Sequence, residues 1–73
     1  MILNEREVKI LEKFYNNEII SLTELAKEFS VSERMIRYNI NEINTLLEFI
    51  KINPIKKIGK SKYLLESNSE KLL

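Results

Sequence analysis

A helix-start signal occurs three times in the first half of the chain, and its spacing constrains the fold more than any other feature of the 73 residues. Asn4-Glu5-Arg6-Glu7 has the form of a capping box. In such a box the Asn4 carboxamide accepts from an early helical amide while Glu7 reaches back to the cap. Leu3 and Val8 flank it at the positions of a hydrophobic staple. Ser21-Leu22-Thr23-Glu24 repeats the box, with Ile20 and Leu25 as its staple. Ser32 is a third cap, stapled by Val31 and Ile36. It is a weaker one, because Met35 stands where the other two have an acid. Between the second and third caps there is room only for a short helix and a tight turn, Ser30-Val31-Ser32.

Each start opens an amphipathic segment. The first helix is expected over about residues 5–16, with Val8, Leu11, Phe14 and Tyr15 as its apolar stripe and Asn16-Asn17 at its end. The second buries Leu22, Leu25, Ala26 and Phe29, and Ala26 is small enough for a neighbouring helix to come close. The third runs from Ser32 to Phe49 or Ile50. Ile36, Ile40, Ile43 and Leu47 recur on it at helical spacing, while Arg34, Arg37, Tyr38, Asn41 and Asn44 fall on the other side. Glu33 precedes Arg37 by four residues and is expected to pair with it. Met35 is expected to be half-buried packing.

The remaining segments read as strand. Glu18-Ile19-Ile20 is too short and β-branched for a helix, and suits a connector or a minimal strand paired with the far end of the chain. Pro54 forbids further helix. Ile52, Ile55 and Ile58, then Tyr63-Leu64-Leu65, flank Gly59 and a run of lysines, which predicts a β-hairpin over 52–57 and 62–66 with a basic tip. The expected architecture is therefore mainly α with a small β-hairpin: a helix-turn-helix followed by a wing, over residues 1–66. Residues 67–73 read as a linker or the start of a further element.

Composition removes several functions. The chain has no cysteine and no histidine, so it has neither a thiolate site nor an imidazole base, and we expect no metal and no cofactor. There is no phosphate-cradling glycine loop and no catalytic constellation, which argues against an enzyme. The N-terminus lacks a signal-peptide pattern and no apolar run is long enough to span a membrane, so the cytoplasm is the expected location. The net charge of +1 conceals an asymmetry: residues 1–31 carry a net −2, residues 32–65 a net +4 and residues 66–73 a net −1. Positive charge gathered in one half of a near-neutral chain suits a nucleic-acid surface.

The run LAKEFSVSERMIRYNINEINTLL, with GKSKYLL after it, resembles the N-terminal winged-helix module of bacterial sugar-responsive regulators. These are the PRD-containing activators controlled by the phosphotransferase system. The modules of Mga-type regulators and of the biotin repressor are close in pattern. The matching positions here are Leu25, Ala26, Val31, Ser32, Arg34, Met35, Ile36, Arg37, Asn39, Ile40 and Ile43. The chain departs from the pattern at Met35 (usually threonine), at Asn39 (usually aspartate) and at Ser61, where a glycine-x-glycine is usual in the wing.

The resemblance implies sequence-specific binding of double-stranded DNA by a transcription regulator that is a homodimer at full length, with no small-molecule ligand in this domain. In such a module the third helix enters the major groove by its N-terminal half. Ser32 lies at the helix end where an amide could receive a phosphate. Arg34 and Arg37 suit a guanine edge or a phosphate, Asn41 an adenine or a phosphate, and Tyr38 a sugar or a phosphate. Lys56, Lys57, Lys60 and Lys62 are the expected wing contacts. Phe14, Tyr15, Phe29 and Tyr63 are spaced as core residues, which disfavours a single-strand stacking platform. The competing reading is a winged helix that has lost DNA binding and serves dimerisation or partner docking.

Overall fold

In a computed structural model, which describes residues 2–16 and 19–65, the chain forms three helices and a small antiparallel sheet. Helix α1 spans Glu5–Asn16, α2 spans Leu22–Phe29 and α3 spans Glu33–Phe49. Strands β1 (Ile19–Ser21), β2 (Lys56–Lys57) and β3 (Lys62–Leu64) make one sheet in the order β1-β3-β2. The expected mainly α architecture with a hairpin wing is the observed one.

All three helix starts form, the first as a complete capping box and the second, expected to be one, by its serine alone. Glu7 N–H donates to Asn4 Oδ1 at 2.8 Å and Asn4 N–H donates to Glu7 Oε1 at 2.9 Å, a complete capping box. Ser21 Oγ accepts from Glu24 N–H at 3.5 Å, a looser cap. Ser32 Oγ accepts from Met35 N–H at 3.1 Å, so the third cap holds without an acid beside it.

Helix α2 stops abruptly. Ser30 takes a left-handed conformation (φ 56°), and its N–H donates to Lys27 O at 3.2 Å. Val31 N–H donates to Ala26 O at 3.0 Å. These two bonds form a Schellman motif with serine in the position that glycine usually takes. Helix α3 ends the same way. Lys51 has φ 65°, Lys51 N–H donates to Glu48 O at 3.1 Å, and Ile52 N–H donates to Leu47 O at 2.8 Å. The single glycine, Gly59, takes no positive φ, so the wing turn does not depend on glycine and Ser61 costs it nothing.

The core is built around α3. Ile36, Ile40, Ile43 and Leu47 are buried as the sequence predicts, together with Leu22, Leu25 and Ala26 of α2, and Ile55, Tyr63 and Leu65 of the wing. Fully burying each of the large aliphatic side chains is worth about 1.5–3 kcal/mol. Helix α1 departs from expectation. Its inward face is Glu7, Ile10 and Phe14, whereas Val8 is 44% exposed and Tyr15 65% exposed. The stripe is rotated by about one residue because a carboxylate, satisfied by hydrogen bonds, occupies an inward position. Phe29 is only partly buried against the core. Asn17 lies outside the described residues, as do Glu18 and residues 66–73.

Strand β1 pairs with β3, Ile20 opposite Tyr63, as anticipated for a minimal strand meeting the far end of the chain. The hairpin is shorter than expected. Residues 52–55 are not strand: Pro54 has no N–H to give, Ile52 N–H is used by the end of α3, and Ile55 bonds to a side chain. Pairing begins only at Lys56, opposite Leu64.

Replacing either left-handed residue by glycine relieves steric strain at a small entropic cost in the unfolded chain. Ser30→Gly and Lys51→Gly should each raise stability by about 0.5–1 kcal/mol, read as a higher urea midpoint with an unchanged slope.

Candidate nucleic-acid interface

Helix α3 divides its polar residues by depth. Arg34, Arg37, Tyr38 and Asn41 are exposed, and all four lie in the first half of the helix. Tyr38, at 57% exposed, makes no side-chain hydrogen bond among the described residues, and neither do Arg34 nor the Asn41 carboxamide. Arg37 Nη2 lies 3.8 Å from Glu33 Oε1, the expected i,i+4 pair. Both partners are about half exposed, so this contact is weak enough for a phosphate or base edge to displace. Glu33 is held more firmly, because its Oε2 also accepts from Thr23 Oγ1 of α2 at 3.1 Å. That bond joins the first turns of the two helices. Met35 is 40% exposed, close to the half-buried position expected, and its exposed part adds an apolar group to the same end of α3.

Two asparagines of α3 face elsewhere. Asn44, grouped by sequence with the outward polar residues, is committed to the fold. Its Nδ2 donates to Ile55 O at 3.0 Å and its Oδ1 accepts from Ile55 N–H at 2.7 Å. It thus satisfies both main-chain groups of a buried residue that no strand partner reaches. Asn39 is 1% exposed and donates from Nδ2 to Glu7 Oε2 at 3.1 Å, linking α3 to α1. Its Oδ1 is buried and has no hydrogen-bond partner among the described residues. An aspartate at position 39 would set two carboxylates face to face here, whereas the amide supplies the donor that Glu7 accepts. Pattern reading missed Ile10 and the inward side of Glu7. The available signal was the spacing Glu7, Ile10, Phe14, which matches a helical face only if a charged residue is allowed inside.

The wing carries the predicted lysines outward. Lys56, Lys57, Lys60 and Lys62 are all exposed, and Ile58 N–H closes the turn on Lys62 O at 2.9 Å. Both sides of the wing are tied down. Leu22 N–H at the start of α2 donates to Ser61 O at 2.7 Å, and Asn44 holds Ile55 on the other side. The wing is therefore held to α2 by a backbone bond and to α3 by the Asn44 side chain. On the far side of the domain Lys13 Nζ meets Glu28 Oε2 at 2.6 Å, joining α1 to α2. Among the described residues no helix is long and apolar enough to cross a membrane, and no group of three or more acidic, histidine or cysteine residues could hold a metal.

Three helices, a three-residue turn between the second and third, and a hairpin after them define a winged helix-turn-helix. The chain belongs to the HTH domain family, whose profile matches residues 6–67. No curated protein and no solved structure matches it at a significant level.

The exposed and the committed asparagine predict opposite behaviour. Asn44→Ala should cost about 1–3 kcal/mol, because it leaves the Ile55 main chain unpaired. Asn41→Ala should stay within about 0.5 kcal/mol of the parent. Urea unfolding followed by circular dichroism separates them.

Proposed function

We propose that the domain binds double-stranded DNA in a sequence-specific manner, as the DNA-binding part of a bacterial, cytoplasmic transcription regulator of the PRD-containing or Mga-type group. The observation that carries this reading is the use of polar side chains along α3. Asn39 and Asn44 serve the fold, and Glu33 serves the junction of the two helices. Arg34, Tyr38 and Asn41, clustered in the first half of the helix, have no such task. They are donors of the kind that read base edges and phosphates. Membership of the HTH domain family supports the same reading.

In this proposal the N-terminal half of α3 enters the major groove. Arg34 and Arg37 take guanine edges or phosphates, Asn41 takes an adenine or a phosphate, and Tyr38 packs against the sugar-phosphate backbone. The Ser32 cap keeps the positive end of the helix available to a phosphate. Lys57, Lys60 and Lys62, with Lys56, run along the backbone or the adjacent minor groove. The unit that does this is residues 1–66, with residues 67–73 serving as a linker or as the start of a further element. One module makes few base contacts, so the site is read by a homodimer as two related halves.

Fluorescence anisotropy with mixed-sequence duplexes at low and moderate salt tests the reading. Steeply salt-dependent binding is the expected result, and no affinity at low salt would overturn it in favour of a protein-docking winged helix. Against a selected site, Arg37→Ala should cost about 1–3 kcal/mol and relax preference at one position. Lys60→Ala should weaken binding to every sequence alike and flatten the salt slope by about one.

A further inference from the structure

Glu7 does more than cap α1. One carboxylate oxygen accepts from Asn4 N–H at 2.9 Å, and the other accepts from Asn39 Nδ2 at 3.1 Å. Glu7 is 4% exposed and Asn39 1% exposed, 32 residues apart in sequence. Among the described residues this is the one buried side-chain hydrogen bond between α1 and α3. Its surroundings are apolar: Ile10 and Phe14 follow Glu7 on α1, and Ile36, Ile40 and Ile43 line the same side of α3. Aliphatic stripes pack in more than one rotational setting at similar cost, since hydrophobic contact has no direction. A hydrogen bond to a buried carboxylate does have direction. Any rotation or slide of α3 that breaks it strands a carboxylate oxygen and the Asn39 carboxamide away from water.

We infer that Glu7 and Asn39 are a positioning pair that sets the rotation of α3 about its axis, and through it the direction in which Arg37, Tyr38 and Asn41 leave the domain. This rests on the proposed DNA binding and adds to it residues that touch no DNA. Asn39 lies one position after Tyr38 and two before Asn41, so it fixes the helix in the middle of the exposed cluster. Among the described residues its Oδ1 has no partner, and the bond to Glu7 is the one that holds the Asn39 carboxamide. An apolar residue at position 39 would remove the unpaired Oδ1 but strand the buried Glu7 Oε2, and only apolar residues at both positions would avoid a polar penalty, so the pair adds direction rather than bulk stability. Sequence discrimination depends on base-edge geometry, whereas phosphate attraction tolerates small rotations. Losing the pair should therefore damage specificity more than affinity.

The test exchanges the donor and the acceptor. A duplex is first selected from a random-sequence pool with the parent domain, and affinities are then measured for it and for a scrambled duplex. Asn39→Asp alone places two carboxylates together, and the ratio of the two affinities should fall at least tenfold. Glu7→Gln combined with Asn39→Asp restores one donor, one acceptor and one charge, and should recover most of that ratio. Glu7→Gln combined with Asn39→Leu removes the buried charge together with its partner while the glutamine keeps the Asn4 cap; this variant should remain folded by circular dichroism, keep binding to the scrambled duplex and its salt slope, and lose the ratio. Should it keep the parent's ratio, or the Glu7→Gln/Asn39→Asp variant stay as impaired as Asn39→Asp while folded, the pair is structural only and the inference fails. If the parent selects no duplex at all, the DNA-binding reading itself falls, and this inference with it.

Discussion

The turn between α2 and α3 leaves no slack, and the rest of the domain depends on that. Three residues connect the helices. Ser30 reverses the chain in a left-handed conformation, Val31 turns inward and bonds to Ala26 O, and Ser32 caps the next helix. Each of the three has a defined conformation or bond, so the direction of α3 relative to α2 is set by local contacts. The Thr23–Glu33 bond then ties the two helices across the outside of the turn. With α3 aimed, its buried stripe becomes the surface on which α1 and the wing assemble. Nonglycine residues at both left-handed positions carry some strain, which the two hydrogen bonds of each Schellman motif offset.

The polar residues of α3 separate by what they replace. Asn44 stands in for a β-strand neighbour: the chain after Pro54 reaches the core before any strand pairs with it, and the carboxamide supplies the missing acceptor and donor to Ile55. Asn39 completes the coordination of a buried carboxylate. Glu33 bridges two helix starts. Once these tasks are assigned, the uncommitted side chains of α3 that can donate a hydrogen bond, Arg34, Tyr38 and Asn41, lie in the first half of the helix, while its uncommitted acids, Glu42 and Glu48, follow them.

Much of this was readable from the chain because helix starts are local. A cap and its staple lie within five residues, and all three predicted starts form. The α3 stripe was equally legible, since four aliphatic residues at helical spacing admit one inward face. The face of α1 was not. Hydropathy ranks Val8 and Tyr15 as core and Glu7 as surface, yet Glu7 is inward because Asn39, far along the chain, supplies its hydrogen bond. Asn44 was misplaced for the same reason, its partner being a main chain whose position only the fold decides. The wing was legible in kind and not in extent: β-branched residues marked it, but the amides of Ile52 and Ile55 were already taken up by α3. The outward placement of Arg34, Arg37, Tyr38 and Asn41 agrees with the sequence.

Under the proposed DNA binding, the division of α3 into two halves also bears on how much information one domain can read. Its second half holds the wing through Asn44 and the core through Ile43 and Leu47, and the side chains it exposes are the acids Glu42 and Glu48, Phe49, and Thr45, whose hydroxyl is bonded to Asn41 O. In the proposed reading, three base contacts at about 1–3 kcal/mol each give about 3–9 kcal/mol, against the roughly 4–10 kcal/mol of discrimination that specific DNA-binding proteins attain. Added lysines in the wing would increase affinity for every sequence and leave that ratio where it was. Greater discrimination has two sources in such an architecture. One is a second copy reading a second half-site, which multiplies the contacts. The other is stricter alignment of the few contacts available, and a buried, directional bond at the centre of the reading half of α3 is suited to that end.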